Sequence, residues 1–122
     1  MFYFRHSLYT LCCLSAIAFA MSSALPAKQN VDPADPEVQA CVAFGMESFN
    51  FHSPTQKLNT ISKFHSVTRE EVGGGRYDID VELIGSSHSS NNQVFRCHFV
   101  IVTAPWKNHQ RILIKSSCEP VS

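Results

Sequence analysis

The residues of this chain with the widest chemical scope are its five cysteines, because thiols form disulfides, bind metals or act as nucleophiles. Cys12 and Cys13 lie in an apolar N-terminal run, whereas Cys41, Cys97 and Cys118 are spread over the rest of the sequence. Three cysteines cannot all pair within one chain, so one bridge with one spare thiol is the simplest arrangement. Cys41 lies among apolar residues at helical spacing, which favours a buried, inert thiol over a nucleophile.

Histidines and carboxylates show no pattern typical of metal binding or catalysis. The sequence contains no His-x-His or Cys-x-x-Cys pair, which leaves little support for a metal site. Asp78, Asp80 and Glu82 alternate with apolar residues, which is typical of the solvent face of a strand rather than of a cation site. Nucleophile elbows and phosphate-binding loops are also missing from the sequence. We therefore expect no enzyme activity, no metal and no cofactor.

The overall composition describes one small and electrically neutral domain. The chain has 122 residues, with ten Lys and Arg against ten Asp and Glu. Proteins that bind nucleic acids normally carry a basic excess, so this balance argues against a nucleic-acid partner. With 44% hydrophobic and 16% charged residues, the composition is not that of a disordered chain.

Residues 1–24 have the form of a secretory signal peptide. Arg5 precedes an apolar run, Leu8 to Met21, that is too short to span a bilayer comfortably. Ala18-Phe19-Ala20 and Ser22-Ser23-Ala24 both satisfy the small-x-small cleavage rule, so we expect cleavage after Ala20 or Ala24. The domain itself is expected over residues 25–122, secreted to the extracellular space and free of the membrane.

The elements that must position the remaining residues follow from hydrophobic periodicity. Asp35-Pro36 is a helix-start signal, and apolar residues recur at helical spacing from Val38 to Phe49, which predicts a helix over 36–50. Strands are then expected over 57–69, 77–83, 94–104 and 111–118, with a break at Gly73-Gly74-Gly75, a polar loop over 85–93 and a turn at Pro105-Trp106-Lys107-Asn108. One N-terminal helix packed on a four- to five-stranded antiparallel sheet is an α+β fold.

Four features, in order and at matching separations, resemble the cystatins, which are secreted inhibitors of papain-like cysteine proteases. The expected helix ends in an aromatic-Asn pair, Phe49-Asn50. Glu70-Glu71-Val72-Gly73-Gly74 is similar to the family's central Gln-x-Val-x-Gly hairpin, and Pro105-Trp106 is similar to its second binding hairpin. Cys118 stands where the last cysteine of the family closes the terminal disulfide. The resemblance therefore implies a cystatin-like fold with a bridge between Cys97 and Cys118.

The resemblance also implies a function and a set of binding residues. Such a protein inhibits cathepsin-type proteases reversibly and without covalent attack, by filling the active-site cleft with an N-terminal trunk and two hairpin loops. The implied protease-binding residues are Leu25, Pro26, Ala27, Glu70, Glu71, Val72, Gly73, Gly74, Pro105 and Trp106. A glycine turn allows close backbone approach, and an exposed Trp is typical of binding hot spots. We expect a monomer, with a domain-swapped or Cys41-linked dimer as the alternatives.

Two departures from the family pattern leave a second hypothesis open. Glu70 replaces the family's Gln and Glu71 adds another carboxylate, and an unpaired carboxylate is costly to desolvate at an interface. The family's trunk glycine has no counterpart, since Gly45 is the first glycine of the chain. We therefore expect weakened inhibition, and the alternative function is a non-inhibitory, secreted cystatin-fold binding protein with eroded protease contacts. The three successive glycines fit a flexible hairpin and an adapted protease-binding loop equally well.

Overall fold

The computed structural model describes residues 27–88, 90–108 and 110–121. Its elements are β1 (Gln29–Asn30), α1 (Pro36–His52), β2 (Lys57–Glu71), β3 (Gly75–Ser87), β4 (Ser90–Ala104), a short 3-10 turn (Pro105–Lys107) and β5 (Gln110–Pro120). The five strands form one antiparallel sheet in sequence order, and α1 packs on one of its faces. The predicted α+β fold, with one helix on a four- to five-stranded sheet, is confirmed. The predicted signal peptide, Leu25 and Pro26 lie outside the described residues.

The helix α1 begins at the residue that the sequence predicts. The Asp35 side chain accepts a hydrogen bond from the backbone N–H of Glu37 at 2.8 Å, and Pro36 stands in the first turn, where its missing N–H leaves no partner unsatisfied. The buried residues of the helix are Val38, Cys41, Val42 and Gly45. A Cβ on Gly45 would lie 2.9 Å from the ring of Phe99, so glycine lets the helix lie close against β4.

The C-terminal end of α1 is fastened to the start of β2. The helix continues to His52, two residues beyond the predicted end, and the backbone N–H of Ser53 still bonds to the carbonyl of Phe49. The Asn50 side chain donates to the Leu58 carbonyl at 2.9 Å and accepts from the Leu58 N–H at 2.7 Å. This pair of bonds fixes the helix relative to the sheet. No helix among the described residues has the length and apolar character needed to cross a membrane.

The two faces of the sheet differ as the alternation along β3 predicts. The inner face, toward α1, carries the buried side chains Tyr77, Ile79, Val81, Leu83, Phe95, Cys97, Phe99 and Ile101. The outer face carries carboxylates with basic partners: Arg96 donates to Asp80 at 2.8 Å and 3.1 Å, and His98 lies against Asp78. The hydrogen bonds from Arg96 hold the pKa of Asp80 below its usual value. Glu82 lies against Lys63 and His65, so all three carboxylates of this face are paired.

The predicted polar loop over 85–93 is wrong for most of its length. β3 continues to Ser87 and β4 begins at Ser90, so only residues 88 and 89 separate the two strands. Gly85 pairs with Gln93 in the ladder between β3 and β4. The backbone hydrogen bonds of a ladder do not depend on the polarity of the side chains. A serine-rich segment can therefore continue as a strand when it pairs with an adjacent strand.

Candidate functional site

Three segments of the chain converge at one end of the sheet, opposite the end where Asn50 binds β2. The first hairpin loop (residues 70–74) joins β2 to β3, and the second hairpin loop (residues 105–108) joins β4 to β5. β1 runs antiparallel to β2 with Gln29 opposite Arg69, so the chain before β1 points toward the same end. Ala27 is exposed on this side. The fold therefore brings both predicted hairpins to one end of the sheet and directs the chain before Gln29 toward the same end.

The first hairpin loop presents an apolar side chain at its tip. The backbone N–H of Val72 donates to the carbonyl of Gly74 at 3.0 Å, which closes the turn. Gly73 has a φ of +88°, a left-handed conformation that glycine adopts without a steric penalty. The side chain of Val72 is 44% exposed in this turn. An apolar residue held in solvent by a tight turn is available for contact with a partner.

The first hairpin loop lies directly against the second. A Cβ on Gly74 would lie 2.1 Å from the carbonyl oxygen of Thr103 and 3.0 Å from Cδ of Pro105, so only glycine fits there without movement. The N–H of Gly75 donates to Oγ1 of Thr103 at 3.0 Å. These contacts hold the two hairpins side by side as one rigid edge.

The second hairpin loop carries the largest exposed aromatic surface of the site. Pro105, Trp106 and Lys107 form the 3-10 turn, and Asn108 ends it in a left-handed conformation with a φ of 57°, which asparagine tolerates well. Trp106 is 61% exposed. A rigid, half-exposed indole beside a proline is the kind of residue that dominates binding energy at interfaces.

The two carboxylates of the first hairpin have different surroundings. Nη2 of Arg69 lies 2.9 Å from Oε2 of Glu71, and this hydrogen bond holds the pKa of Arg69 above its usual value. Glu70 points to the other face of β2, is partly buried and stands opposite Arg76 in the ladder. Sequence reasoning missed Arg69 as a residue of the site. The available signal was its spacing of two residues from Glu71, which places both side chains on one face of a strand.

The three cysteines among the described residues follow the expected arrangement of one bridge and one spare thiol. Cys97 and Cys118 form a disulfide between directly opposed positions of β4 and β5. Cys41 is a free and buried thiol, as its place on the helix predicts. Burial, followed by the nearby charge of Glu37, raises the pKa of Cys41 to about 11. Arg111 of β5 donates to both carboxylate oxygens of Glu37 at 3.1 Å and 3.2 Å, which ties α1 to the strand that follows the second hairpin loop.

Comparisons with known proteins support both the fold and the family resemblance. No family model matches the chain. The chain is 23% identical to Cystatin-1 of Crotalus adamanteus over 130 residues, which covers 89% of this chain and 93% of that protein.

Solved structures give the same result for the fold. Dimeric human cystatin F superposes with a TM-score of 0.66 at 16% identity, covering 82% of this chain and 93% of that chain. Al-CPI gives a TM-score of 0.61 at 20% identity, covering 78% and 99%. The salivary cystatin of the soft tick Ornithodoros moubata gives 0.58 at 18% identity, covering 78% and 98%. The chain therefore has the cystatin fold. The resemblance of its sequence to the cystatin family is confirmed.

Proposed function

We propose that the mature chain is a reversible, non-covalent inhibitor of papain-like cysteine proteases of the cathepsin type. The observation that most supports this function is the rigid edge formed by the two hairpin loops. It carries exposed Val72 on one loop and exposed Trp106 on the other, at the end toward which the chain before β1 also points. The similarity to cystatins in sequence and fold supports the same function.

The proposed mechanism is exclusion of substrate by a preformed wedge. Leu25, Pro26 and Ala27 fill one side of the protease cleft, residues 70–74 its centre, and Pro105 with Trp106 the other side. Because the hairpins are held together before binding, little conformational entropy is lost when the complex forms. The tight glycine turn also keeps the backbone of the first loop away from the extended conformation of a cleavable substrate, so the catalytic thiolate meets no scissile bond.

The direct test is titration of the refolded mature protein against papain and a lysosomal cathepsin, with competitive inhibition as the expected result. Trp106→Ala should raise the inhibition constant by about 30-fold, the effect of losing a hot-spot aromatic. The matched control is Phe51→Ala, because Phe51 is 85% exposed at the end of the helix farthest from the hairpins. An equal loss from both variants would contradict the assigned site.

The same titration separates the two functional hypotheses. If the protein shows no inhibition at micromolar concentration, with its disulfide and fold verified, it is a non-inhibitory binding protein on the cystatin fold. Glu70 is the specific feature that favours this alternative, because it places a carboxylate where the resemblance implies a neutral Gln.

We also propose that the signal peptide within residues 1–24 is removed, by cleavage after Ala20 or Ala24, and that the mature domain is secreted. The Cys97–Cys118 disulfide supports an oxidising compartment, since structural disulfides are rare where thiols are kept reduced. The mass of the secreted product distinguishes cleavage after Ala20 from cleavage after Ala24.

A further inference from the structure

The guanidinium of Arg69 lies at a defined position on the inner face of the first hairpin. Its Cζ lies 5.9 Å from the centre of the Tyr77 ring, a distance typical of a cation–π contact. A Cβ on Gly75 would lie 2.7 Å from Nε of Arg69 and 3.0 Å from the Tyr77 ring, so the glycine provides the space in which the guanidinium lies. Tyr77 itself is buried in the core. The position of the guanidinium is therefore set by residues of the sheet and does not depend on a bound protein.

The position of the Arg69 guanidinium determines where the Glu71 carboxylate lies. Glu71 immediately precedes Val72, so a free side chain there could reach the tip of the loop. Arg69 lies two residues back on the same face of β2 and binds Oε2 of Glu71 at 2.9 Å. The guanidinium lies against Gly75, which is opposite Glu71 in the ladder, so it holds the carboxylate on the inner face of the sheet beside β3. Its charge is partly balanced before any interface forms.

We infer that Arg69 is a positioning residue of the first hairpin loop: it holds Glu71 on the inner face and neutralises its charge, so that Val72 leads the loop into a protease cleft. The effect on inhibition rests on the proposed function, whereas the positioning is a property of the free protein. The inference also gives each glycine of the triplet a separate task. Gly73 makes the turn, Gly74 allows contact with the second hairpin, and Gly75 makes room for Arg69.

A double-mutant cycle tests the inference through the inhibition constant for papain. Arg69→Ala leaves Glu71 without its partner, and we expect inhibition to weaken about tenfold, because an unpaired carboxylate must then be desolvated. In the Glu71→Gln background, Arg69→Ala should change the constant by less than about twofold, since no charge remains to be paired. Equal weakening in both backgrounds, or none in either, would overturn the inference.

The matched control is Arg76→Ala, which removes the same charge from the neighbouring strand on the opposite face of the sheet. A general loss of positive charge would make this variant couple to Glu71→Gln as strongly as Arg69→Ala does. We expect its effect to be the same with and without Glu71→Gln. Strong coupling would show that Arg69 has no special place.

A second measurement is independent of inhibition. The side-chain Nε–H signal of Arg69, observed by NMR in the free protein, should shift in Glu71→Gln and stay in place in Glu70→Gln. If the parent protein fails to inhibit any protease, the proposed function is wrong and this signal decides the positioning alone. An Arg69 signal that ignores Glu71→Gln would overturn the positioning.

Discussion

Glu70 and Glu71 are neighbours in the sequence with opposite surroundings in the fold. Successive side chains of a strand alternate between faces, so only Glu71 can reach Arg69. Among the described residues, the ion pairs do not include Glu70, which is partly buried opposite Arg76. Of the two carboxylates that weaken the family resemblance, Glu70 is therefore the one that a protease would meet without an internal partner.

Glu70→Gln should tighten inhibition of a papain-like protease about tenfold, because a neutral amide keeps the hydrogen-bonding atoms and avoids desolvation of a charge. The measurement is the inhibition constant against papain. The control is Glu119→Gln, which removes the same charge from an exposed position at the far end of β5. An unchanged inhibition constant in Glu70→Gln would contradict the expectation that this carboxylate weakens binding.

Cys41 is expected to resist alkylation in the native protein. Burial raises its pKa from 9.0 to about 11, and the thiolate is the reactive form, so the native thiolate fraction at pH 8 is about 100-fold smaller than in the unfolded chain. Mass spectrometry after iodoacetamide treatment, with and without urea, measures the difference. Equal labelling rates would contradict the burial of Cys41.

The same pKa shift predicts a pH dependence of stability. Because the raised pKa favours the protonated native state, the free energy of unfolding should fall as the pH rises from 9.0 to about 11.

At the scale of the elements, local signals predicted the helix and most strands. Asp35-Pro36 predicts the start of α1, and the alternation of apolar and polar residues predicts β3. The two residues of β1 could not be predicted, because their pairing with β2 depends on where the rest of the sheet lies. The prediction of a polar loop over 85–93 is wrong for the same reason, because its strand conformation comes from pairing in the ladder and not from its composition.

The disulfide is the element-level link between β4 and β5. Replacing both cysteines, by Cys97→Ser with Cys118→Ser, should lower the free energy of unfolding by about 3 kcal/mol, the entropy of a loop of this length. Urea denaturation at equal protein concentration measures the loss. Dithiothreitol should destabilise the parent by a similar amount and leave the double variant unaffected. A double variant that still responds to the reductant would contradict the pairing.

At the scale of the whole molecule, the site is a product of topology. Val72 and Trp106 are far apart in the sequence and lie at the same end of the sheet only because antiparallel neighbours return both hairpins to that end. The sequence predicted these residues through resemblance, whereas the contact between Gly74 and Thr103 and the role of Arg69 required the fold. Gly74 and Thr103 belong to different hairpins, and the position of Arg69 depends on Gly75 and Tyr77 of the neighbouring strand.

The same topology predicts when two copies would exchange parts. Only residues 72–74 separate β2 from β3, so straightening the first hairpin loop would let β1, α1 and β2 of one molecule pack on β3, β4 and β5 of another. The compact turn requires Gly73 at a φ of +88°, and an alanine there is strained by about 1–2 kcal/mol. An extended hinge does not carry this strain. Strain in the turn therefore favours the exchanged dimer.

Gly73→Ala should accordingly shift the protein from monomer to exchanged dimer, with the dimer fraction measured by size-exclusion chromatography and light scattering at fixed concentration. There is open space around a Cβ on Gly73, so the variant acts through backbone strain and not through a clash. The control is Asn108→Gly, which relaxes the other left-handed turn, with a φ of 57°, and should leave the dimer fraction unchanged. Because the exchanged hinge is the first hairpin loop, the dimer should also lose inhibition. A Gly73→Ala protein that stays monomeric would show that the turn does not control exchange.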